Sequence, residues 1–206
     1  MDLVVGILVA SLVAEEALRF GPVFEQRSDS SCGLAAAASL LSLFCGIPAT
    51  EPGLAARLVS LGPRSGAGAT LGDILVLLAD AGIKAKAFRM DPPSLSSALA
   101  AGYIPLILRY DKPEPHFALL IGSDGQVFAL ADPARGLEAL EESDLLRRWD
   151  GTALLVDRRS ATEAGRKLAR RWSRFAIGRL ALLRGGRAGD GAVRALDAAA
   201  TSASAR

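Results

Sequence analysis

The chain holds a single histidine, His116, and only two cysteines, Cys32 and Cys45, in 206 residues. That is too few ligands for a tetrahedral zinc site, so no metal is expected, and nothing in the sequence asks for another cofactor. Nor do two cysteines make a disulfide scaffold. If the segment between them is helical, their Cα atoms stand roughly 20 Å apart, beyond the ~7 Å a bridge tolerates. Both are read as free thiols. Aromatic residues make up 5% of the chain against 50% hydrophobic, which leaves Ala, Leu, Val and Ile to build the core. There is no Gly-x-x-x-x-Gly-Lys-Ser/Thr phosphate loop and no array of membrane spans, which sets aside a transport ATPase.

Long apolar runs are scarce as well. "LVVGILVASLVA", Leu3 to Ala14, is too short for a confident membrane span and has the length of a signal-peptide core. Asp2 stands where such segments carry positive charge, and no small-x-small site precedes Glu15. Residues 1–20 are therefore expected to be a signal peptide or a retained N-terminal membrane anchor, with a helix packed on the domain as the alternative. Charge is divided unevenly. From Asp157 onward there are 12 basic and 4 acidic residues, and before it 12 basic and 18 acidic. An acidic body carries a basic tail, and an exported chain of that kind is not expected to bind nucleic acid.

Periodicity predicts helices over Gly33–Phe44, Thr50–Leu61 and Leu71–Ala81, then a strand in "IKAKAFRM" and a short helix over Ser94–Ala101. "YIPLILRY", "HFALLIGS" and "QVFALADP" read as strands, the last two as a hairpin across Ser123-Asp124-Gly125. "LEESDLLRRW" reads as a helix and "GTALLVD" as the strand that closes the sheet. The fold class is α+β, with N-terminal helices packed on a mostly antiparallel sheet over residues 21–157. Residues 158–206 form a tail. Ser160-x-x-Glu163 is read as a capping box opening a basic amphipathic helix with Leu168, Trp172, Phe175, Leu180 and Leu183 in its apolar stripe. That stripe either packs on the domain, lies on a membrane surface or docks to a partner. "RGGRAGDG" ends the helix, before a low-complexity terminus.

Three features converge on Cys32 in "EQRSDSSCGLAAAASLLSLFCG". It opens a helix, where free amides and the macrodipole favour a thiolate. His116 opens one strand of a hairpin, and sixteen residues later Asp132 ends the next, so the hairpin returns the two to the same end. Cys, His, Asp is the chain order of papain-like thiol enzymes. Gln26, six residues before the cysteine, is placed to donate to an oxyanion. Each residue also has an ordinary reading: a buried thiol, a structural histidine, a turn aspartate. From chemistry alone the two readings stand about even. Cys45, beside Leu43 and Phe44, reads as core.

The segments "QRSDSSCGLAAAASLL", "GATLGDILVLLADAGIKAKAFRM", "SALAAGYIPLILRY", "HFALLIGSDGQVFALADPARG" and "LLRRWDGTALLV" together resemble the C39 cysteine peptidases, the double-glycine peptidases, from about Glu25 to Val156. The resemblance implies a papain-like fold with Cys32 as nucleophile and His116 as general base and acid. It implies that Asp132 orients the imidazole and that Gln26 and the Cys32 amide form the oxyanion hole. By the same resemblance the chain is a stand-alone, exported, periplasmic peptidase. It would cleave a polypeptide of a secretion or surface-fibre system after a Gly-Gly-type site. Two other functions stay open: a C39-like module that binds and hands on a secreted polypeptide without cleaving it, and another papain-like acyl transfer such as an amidase or transglutaminase.

Overall fold

The computed structural model describes residues 18–62 and 68–185. The expected leader, Leu3–Ala14, and the low-complexity terminus lie outside the described residues. Helix α1, Cys32–Ser39, owes its position to small side chains: Ala35, Ala36, Ala37 and Ala38 are all fully buried, which lets the helix lie close against the sheet. Gly33 contributes to that approach. A Cβ there would stand 3.1 Å from the Phe117 ring and 3.3 Å from Ile74. The helix continues through a π-helical stretch, Leu40–Phe44, in which the Cys45 amide bonds the Leu40 carbonyl at 3.0 Å. Gly46, at a φ of +70°, then reverses the chain.

Helix α2, Glu51–Leu61, is capped by the Thr50 hydroxyl, and α3, Leu71–Asp80, by a reciprocal Thr70–Asp73 capping box. Then follow β1 (Ala85–Arg89), α4 (Pro92–Ala100), β2 (Leu106–Tyr110), β3 (His116–Ser123), β4 (Val127–Asp132), β5 (Gly136–Glu141), α5 (Glu142–Arg148) and β6 (Trp149–Val156). The strands form one antiparallel sheet in the order β1-β6-β2-β3-β4-β5.

Both faces of the sheet are covered, so its central strands read as continuous apolar runs. Ile107, Leu119, Ile121, Ala129, Ala131 and Leu154 pack against α1 to α3. Their neighbours Leu106, Leu108, Leu120, Phe128 and Leu130 pack against Leu95 and Leu99 of α4 and Leu145 of α5.

The expectations fail in three local places. Gly136–Glu141 is a strand, and the helix expected from Leu140 begins only at Glu142. Leu137-Glu138-Ala139-Leu140-Glu141 has helix-forming composition, but pairing with β4 decides its conformation. Strand β1 shows little inward–outward alternation, because it is an edge strand with Lys86, Ala87, Phe88 and Arg89 all exposed. The cap of the tail helix α6, Glu163–Gly185, is Thr162 and not Ser160: the Thr162 hydroxyl accepts the Gly165 amide at 3.0 Å, while Ser160 sits in a 3₁₀ turn.

Helix α6 turns most of its apolar stripe onto the sheet, while Leu183 near its end is 78% exposed. Trp172, Ala169 and Ala176 are buried in the same core as Leu119 and Ala129. Thr162 N–H bonds the Phe44 carbonyl at 2.8 Å, satisfying an acceptor that the end of the π-stretch leaves open. Two glycines permit the contact. A Cβ on Gly165 would stand 2.6 Å from Phe44 Cα, and one on Gly122 would stand 2.7 Å from Ser173 Cβ.

Candidate active site

The segment leading to α1 is fixed before the helix starts. Gln26 N–H bonds the Pro133 carbonyl at 2.9 Å, which ties it to the turn that follows Asp132. The Ser28 carbonyl then accepts three donors: Ser31 N–H at 3.1 Å, the Ser31 hydroxyl at 2.9 Å and the Gln26 side-chain amide at 2.9 Å. Ser31 stands at the N-cap but spends its side chain on this turn, so no side chain caps α1. The first amides of the helix are left to meet an anion. Cys32 sits there at the first helical position, 5% exposed.

His116 opens β3 and Asp132 ends β4. The antiparallel register, which pairs Leu119 with Ala131, carries them to one end of the sheet. His116 Nε2 lies 2.8 Å from Asp132 Oδ1, and the same oxygen accepts the amides of Ala134 at 2.8 Å and Arg135 at 3.1 Å. With Nε2 turned to the carboxylate, Nδ1 is the nitrogen left for the thiol. Burial works against a charged imidazole. Hydrogen bonds to Asp132 and to Cys32, with the attraction of both, outweigh it and hold the His116 pKa up at about 9. Asp132 is fully buried, and its Oδ2 has no hydrogen-bond partner among the described residues.

The structure thus brings Cys32, His116 and Asp132 together and joins Gln26 to the same end through Pro133. One hydrogen of the Gln26 amide is engaged by Ser28, and its Oε1 is buried without a partner. Sequence reasoning missed Ser31, which orders the turn, and Tyr110, whose ring stacks on His116 with centroids 6.0 Å apart. The one signal for Tyr110 was an aromatic residue with a polar tip ending the strand "LILRY" of β2. Cys45 is buried, and burial pushes its thiol up to about 11, which suits core packing and not reaction. Among the described residues no cluster of side chains could hold a metal ion. A groove of about 1080 Å³ runs between α3 and β1 beside Val76, Ile83, Phe88 and Tyr103, and Gln26, Cys32, His116 and Asp132 do not line it.

An antiparallel sheet flanked by helices, with a thiol opening one helix and an imidazole–carboxylate pair on the sheet, is the architecture of a papain-like peptidase domain. The chain belongs to the Peptidase C39 family, whose profile matches residues 21–161. It is 26% identical over 141 residues to the probable functional amyloid protease FapD of Pseudomonas aeruginosa, which covers 67% of this chain and 61% of that protein. The chain therefore spans about three fifths of the length of that curated relative. In fold it is similar to the peptidase domain of Streptococcus ComA, a bi-functional ABC transporter involved in quorum sensing. That match has a TM-score of 0.56 and 20% identity, covering 66% of this chain and 96% of that one. A double glycine motif protease from an AMS/PCAT transporter, in complex with the leader peptide, matches with a TM-score of 0.49 at 23% identity, over 66% of this chain and 89% of that one. Helix α6 begins beyond the matched residues.

Proposed function

We propose that the protein is a cysteine endopeptidase that cleaves an exported polypeptide after a Gly-Gly-type site. The observation that carries this reading is the His116 imidazole, bonded at 2.8 Å to a buried carboxylate, with a thiol at an uncapped helix start acting on the same ring. Cys32 Sγ, as thiolate, attacks the peptide carbonyl and forms a C–S bond. The carbonyl electrons move to oxygen, which the Cys32 amide and the free hydrogen of the Gln26 amide receive. As the C–N bond breaks, its electron pair takes the proton from the His116 imidazolium and the amine leaves. Water, deprotonated by the now neutral imidazole, attacks the thioester, and the acid departs as the thiol is restored. Asp132 holds the ring in the tautomer that both halves need.

The double-glycine preference and a periplasmic site of action follow the resemblance to C39 enzymes. The likeness to a functional amyloid protease supports a substrate from a surface-fibre or secretion system. No helix among the described residues is long and apolar enough to cross a membrane. With Trp172 buried on the sheet, membrane contact through α6 would use its exposed side chains, among them Lys167, Arg170, Arg171, Arg174, Arg179 and Leu183.

The test is the rate of Cys32 alkylation by iodoacetamide against pH in a Cys45→Ala background. Fast labelling is expected to persist well below the ordinary thiol pKa of ~8.5, with a further inflection near 9 as His116 loses its proton. His116→Ala is expected to abolish the low-pH labelling. Labelling that rises only near pH ~8.5 in both proteins would overturn the reading and favour the non-cleaving module. A second measurement addresses the oxyanion. Gln26→Ala is expected to lower kcat by about 10²–10³-fold while leaving the alkylation profile in place. An unchanged kcat would remove Gln26 from the mechanism.

A further inference from the structure

Residues 27–30 of the segment that leads to α1 are exposed, while Ser31 behind them is 7% exposed. Its hydroxyl accepts the Ser28 N–H at 3.0 Å and donates to the Ser28 carbonyl at 2.9 Å. Both polar groups of one exposed backbone residue thus rest on one buried side chain. The Ser28 carbonyl in turn accepts the Gln26 side-chain amide at 2.9 Å. That carbonyl decides how the Gln26 amide is turned. An acceptor there takes an N–H and repels the amide oxygen, so the nitrogen faces Ser28 and keeps one hydrogen for a second acceptor. The backbone of the segment is held by other means, Gln26 N–H on the Pro133 carbonyl at 2.9 Å and Arg27 N–H on the Glu51 carboxylate at 3.1 Å. Neither of these contacts acts on the side-chain amide.

We infer that Ser31 is a positioning residue for the oxyanion donor: its hydroxyl fixes the Ser28 carbonyl, and the Ser28 carbonyl aims the Gln26 amide. The inference rests on the reading of Gln26 as an oxyanion donor given above and deepens it. A donor aimed in advance needs no reorganisation when charge develops on the carbonyl oxygen. Without the hydroxyl, the Ser28 N–H loses its acceptor, and of the Ser31 contacts only its own N–H on the Ser28 carbonyl, at 3.1 Å, remains. The turn is then free to shift, and the Gln26 amide follows the carbonyl it is bonded to. The arrangement has a second consequence. A serine at an N-cap ordinarily turns its oxygen to the amides at N2 or N3, and here it does not. Its commitment to Ser28 steadies the donor and leaves the first amides of α1 uncapped beside Cys32.

The experiment is a double-mutant cycle in the Cys45→Ala background, comparing the parent with Ser31→Ala, Gln26→Ala and the double variant. It reads kcat and KM for a peptide spanning a Gly-Gly site, and the pH profile of Cys32 alkylation, a reaction that forms no oxyanion. Ser31→Ala is expected to lower kcat about tenfold, less than loss of the donor itself, with KM and the alkylation profile unchanged. In the Gln26→Ala background the same change is expected to lower kcat by less than about twofold, because no donor remains to aim. A Ser31→Ala protein with the parent's kcat overturns the inference. So does a tenfold loss that persists in the Gln26→Ala background, or a loss of low-pH labelling, since either gives Ser31 a part that does not run through Gln26. Failure of the reading beneath it shows separately. A Gln26→Ala protein with the parent's kcat removes the donor, a parent without low-pH labelling removes the triad, and the inference falls with either. Where both stand and Ser31→Ala is silent, this inference alone is overturned.

Discussion

Cys32→Ser is expected to lower kcat/KM for a peptide spanning a Gly-Gly site by at least about 10⁴-fold, down to the rate given by binding and oxyanion contacts alone. The geometry around Cys32 suits a sulfur anion. The first amides of α1 carry no side-chain cap, and the imidazole beside the thiol is held up at about 9 by Asp132 and by Cys32 itself against the cost of burial. A serine hydroxyl in that place keeps its proton, because an alkoxide is far harder to form than a thiolate beside an imidazolium. The expected loss falls on kcat. Affinity for the uncleaved peptide is expected to stay, since nucleophile and base act in the transition state and not in the ground-state complex. His116→Ala is expected to cost a similar factor, and the double variant little more than either single one, because residues that act as a unit do not add. Single-turnover cleavage and peptide affinity, measured on the four proteins, check this. Equal peptide capture by all four, with no cleavage by any, would assign the domain to binding and handover. Acyl transfer to an added amine in place of hydrolysis would assign it to transferase chemistry.

What could be read from the sequence follows from the range of the interactions involved. The His116–Asp132 pair was legible because a hairpin is local: sixteen residues through one turn must return, and the contact is there at 2.8 Å. Helices α1 to α4 were legible because their stop signals are local as well, in Gly46, Gly62, Gly82 and Gly102. Strand β5 was not, because Gly136–Glu141 takes its conformation from β4 against its own composition. The place of β6, between β1 and β2, depends on pairing residues about 40 to 70 positions apart, which no short-range pattern carries. At the site, Cys32, His116, Asp132 and Gln26 could be singled out by chemical type and order. Ser31 and Tyr110 could not, since their roles exist only in the contacts they make. Ser31 stands before the helix among other serines, and its hydroxyl bonds the Ser28 carbonyl. Tyr110 looked like the end of a core strand and instead faces the imidazole.

The tail gives the second large effect. Trp172→Ala is expected to destabilise the protein by about 3–5 kcal/mol, the usual result of deleting a large buried aromatic side chain. For a domain whose whole stability is about 5–15 kcal/mol, that is a substantial share. The reason is position. Helix α6 starts after the residues that the family profile matches, yet Trp172 lies in the core cluster that holds Cys32, Leu119, Ala129 and Phe44. Its ring meets Phe175 edge-on at 5.8 Å, and the helix is held at its start by Thr162 on the Phe44 carbonyl. A helix lying loosely on the surface would lose no more than about 0.5 kcal/mol from such a change. Urea unfolding separates the two cases: with m of about 1–3 kcal/mol/M, the expected midpoint falls by roughly 1–5 M. A midpoint that does not move would detach α6 from the fold and return its apolar stripe to a membrane or a partner. A large shift makes α6 part of the scaffold behind the catalytic helix. Its outward side chains, among them Lys167, Arg170, Arg171, Arg174, Arg179 and Leu183, then remain to meet anything beyond the domain.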